Sequence, residues 1–238
     1  MPTARQIAEL YAYPDTGRAY VRTNTVQSVD GAVQDPTGLS GGLGGAPDER
    51  ALRIMRSLAD VIVVGAGTAR AEGYAPVRAD EIDVTARAAA GLPGLPPIAV
   101  VSRSLDLPDA LVAPGQILIT FADSDADRRA ELARTMDVIV AGTSSVDWTA
   151  VLDLFMTRGL LRVLCEGGPS LTGELLSRDL VDEMCVTIAP TALAGNAKRV
   201  AVSPAAAPRP LALTHAVEDD GVLLTRWQRD RGTERDAS

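Results

Sequence analysis

Four β-branched residues stand in succession at Val61 to Val64. Such a run is what a strand buried on both faces requires, because no polar residue is needed for a wet side. Ile98 to Val101 is a second run of this kind, and Val163-Leu164-Cys165 a third, shorter one. Between and around them lie helix-compatible segments. Pro47 to Leu58 repeats Leu52, Met55 and Leu58 on one face, with Arg50, Arg53 and Arg56 off it. Residues 79–95 are Ala-rich, acidic and helical in part, and a short helix is expected around Asp125 to Arg134. Ser145 to Arg158 carries Val146, Val151, Leu154 and Phe155 on one face, with Gly159 to end it. Further strands are expected at Gln116–Thr120, Val138–Ala141 and Asp182–Ala189. An antiparallel pair, Leu211–Val217 and Gly221–Gln228, should follow, turning at Glu218-Asp219-Asp220. Strands alternating with helices and ending in a hairpin predict a mostly parallel sheet covered on both faces, in one domain.

In such sheets ligands bind beyond the carboxyl ends of the strands, and there the residues are unusual. At Leu160–Leu176 a short apolar run meets Glu166, then Gly167-Gly168-Pro169, then helical sequence. Paired glycines let backbone approach a ligand closely. Proline suits the first turn of a helix, whose free N–H groups attract phosphate or carboxylate. An ordinary strand-to-helix turn is the competing reading. After Val64 comes Gly65-Ala66-Gly67-Thr68-Ala69-Arg70, which begins like a dinucleotide-binding turn but has Arg70 where the third glycine should be, so it is not a Rossmann fingerprint. Arg70 and Arg78 remain as two positive charges just beyond a glycine turn. Ser102-Arg103-Ser104 ends the Ile98 strand, and hydroxyls flanking an arginine suit an isolated phosphate such as an NADP 2′-phosphate; a solvated loop fits equally. The segment from Tyr20 runs as a strand into a turn at Asp30-Gly31. Its Asn24, Thr25, Ser28 and Asp30 suit a polar pocket at a strand end better than a core. The glycine-rich stretch Asp35–Arg50, which contains Ser40, reads as a loop shaping a site or as a linker.

The remaining numbers mostly exclude. No apolar run approaches the ~20 residues that span a bilayer, and the N-terminus lacks a signal-peptide core, so a cytoplasmic protein is expected. A net charge of −8 without a basic patch argues against nucleic acid as a partner. One histidine, His215, and two distant cysteines, Cys165 and Cys185, rule out most metal sites, and no metal is expected. Residues 1–19 read as an N-terminal extension with a helix from Ala4 to Tyr11, the domain proper as residues 20–230, and the last ten residues as frayed.

In order and spacing, NTVQSVDGAV, ADVIVVGAGTARAEGYAPVR, IAVVSRSLDLP and LCEGGPSLTGELL resemble the reductase domain of riboflavin biosynthesis, over roughly Ala19 to Trp227. The chain looks most like the stand-alone actinobacterial type, without the zinc-binding deaminase half. The resemblance implies a dihydrofolate reductase-like, three-layer α/β/α fold with a mostly parallel mixed sheet. It also implies a homodimer, and NADPH-dependent reduction of the ribosyl group of 5-amino-6-(5-phosphoribosylamino)uracil to ribityl. Carried over by motif, Gly65, Gly67, Thr68 and Glu72 lie along the cofactor, Ser102 and Arg103 hold its 2′-phosphate, and Gly167, Gly168, Pro169, Ser170, Leu171 and Thr172 its pyrophosphate. Asn24, Ser28, Asp30, Ser40, Arg78 and Glu166 face the substrate. Arg78 is expected on its phosphate, and Asp30 and Glu166 are the catalytic candidates. The pattern departs at Glu72-Gly73-Tyr74, where Asp-Asp-Pro is more usual. Two other functions share these features: the same fold and cofactor acting on a pteridine or other imine or carbonyl, and an NADPH-binding protein without catalysis.

Overall fold

A computed structural model describes residues 4–92, 94–206 and 208–230. Of the last ten residues, expected to fray, Arg229 is instead the buried end of the final strand, and residues 231–238 lie outside those described. In chain order the elements are α1 (Ala4–Leu10), β1 (Tyr20–Ser28), α2 (Gly45–Leu58), β2 (Val61–Gly65), α3 (Ala66–Ala71), α4 (Val84–Ala89), β3 (Ile98–Val101) and β4 (Ile117–Thr120). Then come α5 (Ala126–Leu132), β5 (Asp137–Val140), α6 (Trp148–Thr157), β6 (Arg162–Cys165), α7 (Pro169–Ser177), β7 (Glu183–Ala189), β8 (Leu211–Asp219) and β9 (Val222–Arg229).

The strands form one sheet in the order β5-β4-β3-β2-β6-β1-β7-β9-β8. All pairings from β5 to β7 are parallel, and β9 runs antiparallel to both β7 and β8. Successive side chains on a strand point to opposite faces, and the apolar runs divide accordingly. Ile62, Val64, Ile98, Val100, Leu118 and Leu164 enter one core, where Ala51, Ile54, Met55 and Leu58 of α2 cover them. Val61, Val63, Ala99, Ile117, Ile119 and Val163 enter the other, under Trp148, Val151 and Phe155 of α6 and Leu171 and Leu175 of α7. This is the expected three-layer α/β/α arrangement.

Element ends shift for local reasons. Helix α6 begins three residues later than expected because Asp147 caps it, its carboxylate accepting the Ala150 N–H at 3.2 Å. The β8–β9 turn falls at Asp220-Gly221, both at positive φ, as a two-residue Asp-Gly hairpin turn demands.

Across β1, β7 and β9, toward the antiparallel side of the sheet, lies a charged cluster that the sequence pattern does not announce. Arg22 and Glu183 are fully buried, with Nε to Oε1 at 2.5 Å, and Arg226 reaches the other Glu183 oxygen at 2.6 Å. The two guanidiniums also donate to the Tyr11 and Leu10 carbonyls, at 2.7 and 2.6 Å, and Arg22 lies 3.9 Å from the Tyr13 ring centre. The segment before β1 is therefore held in the main core, with Tyr11 2 % exposed. His215 has a structural place here, its ring edge-on to Tyr11 at 5.2 Å.

Candidate functional site

A cavity opens beyond the carboxyl ends of β2 and β6 and against the middle of the longer β1, at Asn24, Thr25 and Val26. Its base is made where the two glycine turns meet. The Gly65 N–H donates to the Gly167 carbonyl at 2.8 Å, which joins the β2–α3 turn to the β6–α7 turn. A Cβ placed on Gly168 would come within 2.3 Å of the Thr68 hydroxyl oxygen, so only glycine permits this contact. Gly167 holds φ +91, a conformation open to glycine at little cost. Pro169 opens α7 at its first position, behind Gly168.

Of the residues expected at a site, Asn24, Ser40, Thr68, Glu72, Glu166, Gly167, Gly168 and Pro169 line this cavity. Glu72 is fixed by accepting the Ser40 N–H at 2.8 Å, which ties the glycine-rich loop to α3. Glu166 is buried and fully engaged. Arg56 grips both of its oxygens at 2.7 Å, and the Tyr74 hydroxyl donates to Oε2 at 2.6 Å. Burial first, then the Glu166 charge, holds the Tyr74 hydroxyl well above the usual tyrosine range, so it stays a proton-bearing donor. Burial opposes the charge on Arg56, yet Glu166 outweighs it and keeps the guanidinium protonated.

Other expected residues stand elsewhere. Ser28 and Asp30 do not line the cavity; they bind the backbone around the β1 turn. The Ser28 hydroxyl donates to Asp30 at 2.5 Å and accepts the Ala32 N–H, while Asp30 accepts the N–H groups of Leu193 and Ala194. These bonds, the Ser28 one first, lower the Asp30 pKa to about 2. Arg78 is largely exposed and paired with Asp80 and Glu81, at 3.1 and 2.9 Å, away from the cavity lining. Ser102 is buried, its hydroxyl accepting the Leu105 N–H, and exposed Arg103 lies over the Phe121 ring at 5.8 Å. Gly65 and Gly67 belong to the turn under the cavity without lining it. Ser170, Leu171 and Thr172 continue α7, with Leu171 and Thr172 buried.

Three groups escaped the sequence reading. Arg56 was assigned only to a non-apolar helix face, and Tyr74 only to a departure from a motif. Asp48 was read as a helix-start residue, yet it lines the cavity with one carboxyl oxygen buried and without a hydrogen-bond partner. A fourth feature is the exposed pair Lys198-Arg199, next to cavity-lining Val200 and joined to the wall by the Val33 N–H on the Lys198 carbonyl. Among the described residues no group of His, Cys, Asp or Glu is arranged to hold a metal ion, and no helix is long and apolar enough to cross a membrane.

Comparison with known proteins adds the context for this geometry. The profile of the RibD C-terminal domain family matches residues 19–224. The 2,5-diamino-6-ribosylamino-4(3H)-pyrimidinone 5′-phosphate reductase of Methanothermobacter thermautotrophicus is 32% identical over 190 residues, 78% of this chain and 84% of that protein. The riboflavin biosynthesis protein RibD of Escherichia coli is 26% identical over 79% of this chain, which corresponds to 53% of that longer protein. The crystal structure of a pyrimidine reductase-like protein from Corynebacterium diphtheriae superposes with a TM-score of 0.79 at 27% identity, covering 97% of this chain and all of the other.

Proposed function

The chain belongs to the RibD C-terminal domain family, and from that premise we propose that it is the pyrimidine reductase of riboflavin biosynthesis. It reduces the phosphoribosylamino group of a 5-aminopyrimidine to the ribitylamino group, with NADPH as reductant. The observation that carries this reading is the cavity at the strand ends, based on two interlocked glycine turns and walled by Asn24 and Glu166.

The residues fit a nicotinamide dinucleotide. The Gly168–Thr68 contact leaves bare backbone at the start of α7, where a pyrophosphate would be held by Gly167 to Thr172. Exposed Arg103 at the end of β3 would meet a 2′-phosphate, the feature that favours NADPH over NADH. When bound, the cofactor supplies a hydride.

The acceptor is C1′ of the ring-opened sugar imine. Reduction adds hydride at C1′ and a proton at the attached nitrogen, converting C=N to CH–NH. This chain's part is to hold the pyrimidine so that C1′ faces the cofactor side, which is positioning rather than covalent chemistry. Glu166, with three hydrogen bonds donated to its two oxygens, serves as a fixed orienting wall. Asn24 and Ser40 contact the substrate from β1 and the glycine-rich loop. A homodimer belongs to the same reading, and light scattering tests it.

The test of function is loss of reduced-nicotinamide absorbance on addition of the phosphoribosylamino pyrimidine, with the ribitylamino product identified by mass. Tight NADPH binding without turnover of either the 2-amino or the deaminated pyrimidine would refute the proposal and favour a pteridine or another imine.

A further inference from the structure

Among the described residues the cavity has no lysine or arginine in its lining, and it carries three carboxylates, Asp48, Glu72 and Glu166. Two of these have partners: Glu166 is held by Arg56 and Tyr74, and Glu72 by the Ser40 N–H. Oδ1 of Asp48 and Oδ1 of Asn24 do not; both are buried acceptors with no hydrogen-bond partner, and the Asn24 side chain is on a residue only 9 % exposed. A buried acceptor left unmade is costly, so these two oxygens are poised for donors that arrive with a ligand. Asp48 is also fixed in place. A Cβ on Gly44 would lie 2.3 Å from the Asp48 Cβ and 2.7 Å from its Oδ2, so bare backbone packs against the carboxyl.

This inference rests on the pyrimidine reductase reading and concerns which pyrimidine enters. The two forms differ at ring position 2. A 2-amino-4(3H)-pyrimidinone presents the N3–H and the 2-amino N–H side by side, two donors in one plane. The deaminated uracil presents the N3–H flanked by two carbonyl oxygens. The two open acceptors, Asp48 Oδ1 and Asn24 Oδ1, match the two donors of the first edge, whereas the second edge sets a carbonyl oxygen against one of them. We propose that Asp48, assisted by Asn24, reads the substituent at position 2 and selects the 2-amino form over the uracil. The absence of cations from the lining fits, because the pyrimidine edge rather than the phosphate then occupies the cavity.

The experiment measures kcat/KM for both phosphoribosylamino pyrimidines with the unaltered protein and with Asp48→Asn. An amide offers one acceptor and one donor, so it suits the uracil edge. The unaltered protein should prefer the 2-amino form by about 100-fold, the upper part of the range expected when a buried acceptor loses its donor. Asp48→Asn should bring that ratio to near unity or invert it, with most of the change in KM. Calorimetry without cofactor adds a readout independent of turnover and of the variant's folding. 2,5,6-Triamino-4(3H)-pyrimidinone should bind the unaltered protein more tightly than 5,6-diaminouracil. Turnover of both forms without preference, or a ratio unmoved by Asp48→Asn, overturns this inference alone. Turnover of neither overturns the reductase reading and this one with it.

Discussion

Replacing Arg56 with methionine should destabilise the protein by about 3 kcal/mol, and the number follows from what the guanidinium leaves behind. Glu166 has a side chain only 4 % exposed and takes two of its three hydrogen bonds from Arg56, both at 2.7 Å. Breaking a buried ion pair by deleting one member typically costs ~3–5 kcal/mol, because the surviving charge is stranded. Two features place this case at the low end. The Tyr74 hydroxyl still donates to Glu166, and the Arg56 side chain is 16 % exposed, so water can follow it in. Methionine keeps most of the volume against α2, which limits any cavity contribution. For a chain of this size ~3 kcal/mol corresponds to a fall in Tm of about 6–12 °C. The assay is urea unfolding followed by circular dichroism, for the unaltered protein, Arg56→Met, Glu166→Gln and the double variant. In the double variant no charge is stranded and Tyr74 can still donate to the glutamine oxygen, so most of the lost stability should return. A coupling energy of about 2 kcal/mol is expected from the cycle. An Arg56→Met cost below about 1 kcal/mol, or a double variant as unstable as the sum of the singles, would refute the argument that Glu166 is a desolvated charge held by Arg56.

Gly168→Ala should cost about 1–3 kcal/mol by driving a methyl into the Thr68 hydroxyl, and adding Thr68→Ala should recover part of it; melting temperatures of the three variants check this. Glu183→Gln should destabilise by about 3–5 kcal/mol by stranding Arg22 and Arg226. Burial pushes the Glu183 carboxyl up, but Arg22 and Arg226 together hold it below the usual carboxylate range. Its stabilisation is therefore complete above the unfolded value of ~4.3 and is lost as pH falls through the lower folded one, so acid unfolding of the glutamine variant should show a shallower dependence on pH. If the substrate phosphate sits at the cavity rim, Lys198→Ala with Arg199→Ala should raise KM by about 10-fold with kcat little changed, whereas Arg78→Ala, already paired with Asp80 and Glu81, should do so only if the motif-based assignment is right; steady-state kinetics separates the two.

The layers of this fold were legible because its strands obey a strong rule. A parallel strand covered on both faces must be apolar throughout, and Val61–Val64 and Ile98–Val101 say so without reference to anything distant. The glycine turns at Gly65 and Gly167 were legible for a similar reason, since backbone that must approach closely excludes side chains. What the sequence pattern hid were partnerships across long separations. Glu166 finds Arg56 at a distance of 110 residues in the chain, and Arg22 finds Glu183 at 161. An arginine off the apolar face of a helix looks like a solvated charge until the fold turns that face toward a strand end. Asp30 shows the converse, a carboxylate whose partners the pattern does not announce. It stands at a strand end with other short polar residues, but its carboxylate is spent on backbone N–H groups of Leu193 and Ala194.

The same contrast explains why Asp48 is more informative than the carboxylates the motifs point to. A motif records a residue type at a position, whereas chemistry depends on whether its lone pairs are taken. Glu166 and Asp30 each accept three or more hydrogen bonds within the protein. Asp48 keeps one oxygen buried and unmatched in the cavity that Asn24 also lines. The large majority of buried polar atoms in natural interiors have partners. Unmatched acceptors on two different elements that line one cavity therefore mark the place where the satisfying donors belong to a bound molecule. Selectivity at this site follows from leaving acceptors empty for the ligand, while Glu166 and its partners keep the walls from collapsing onto them.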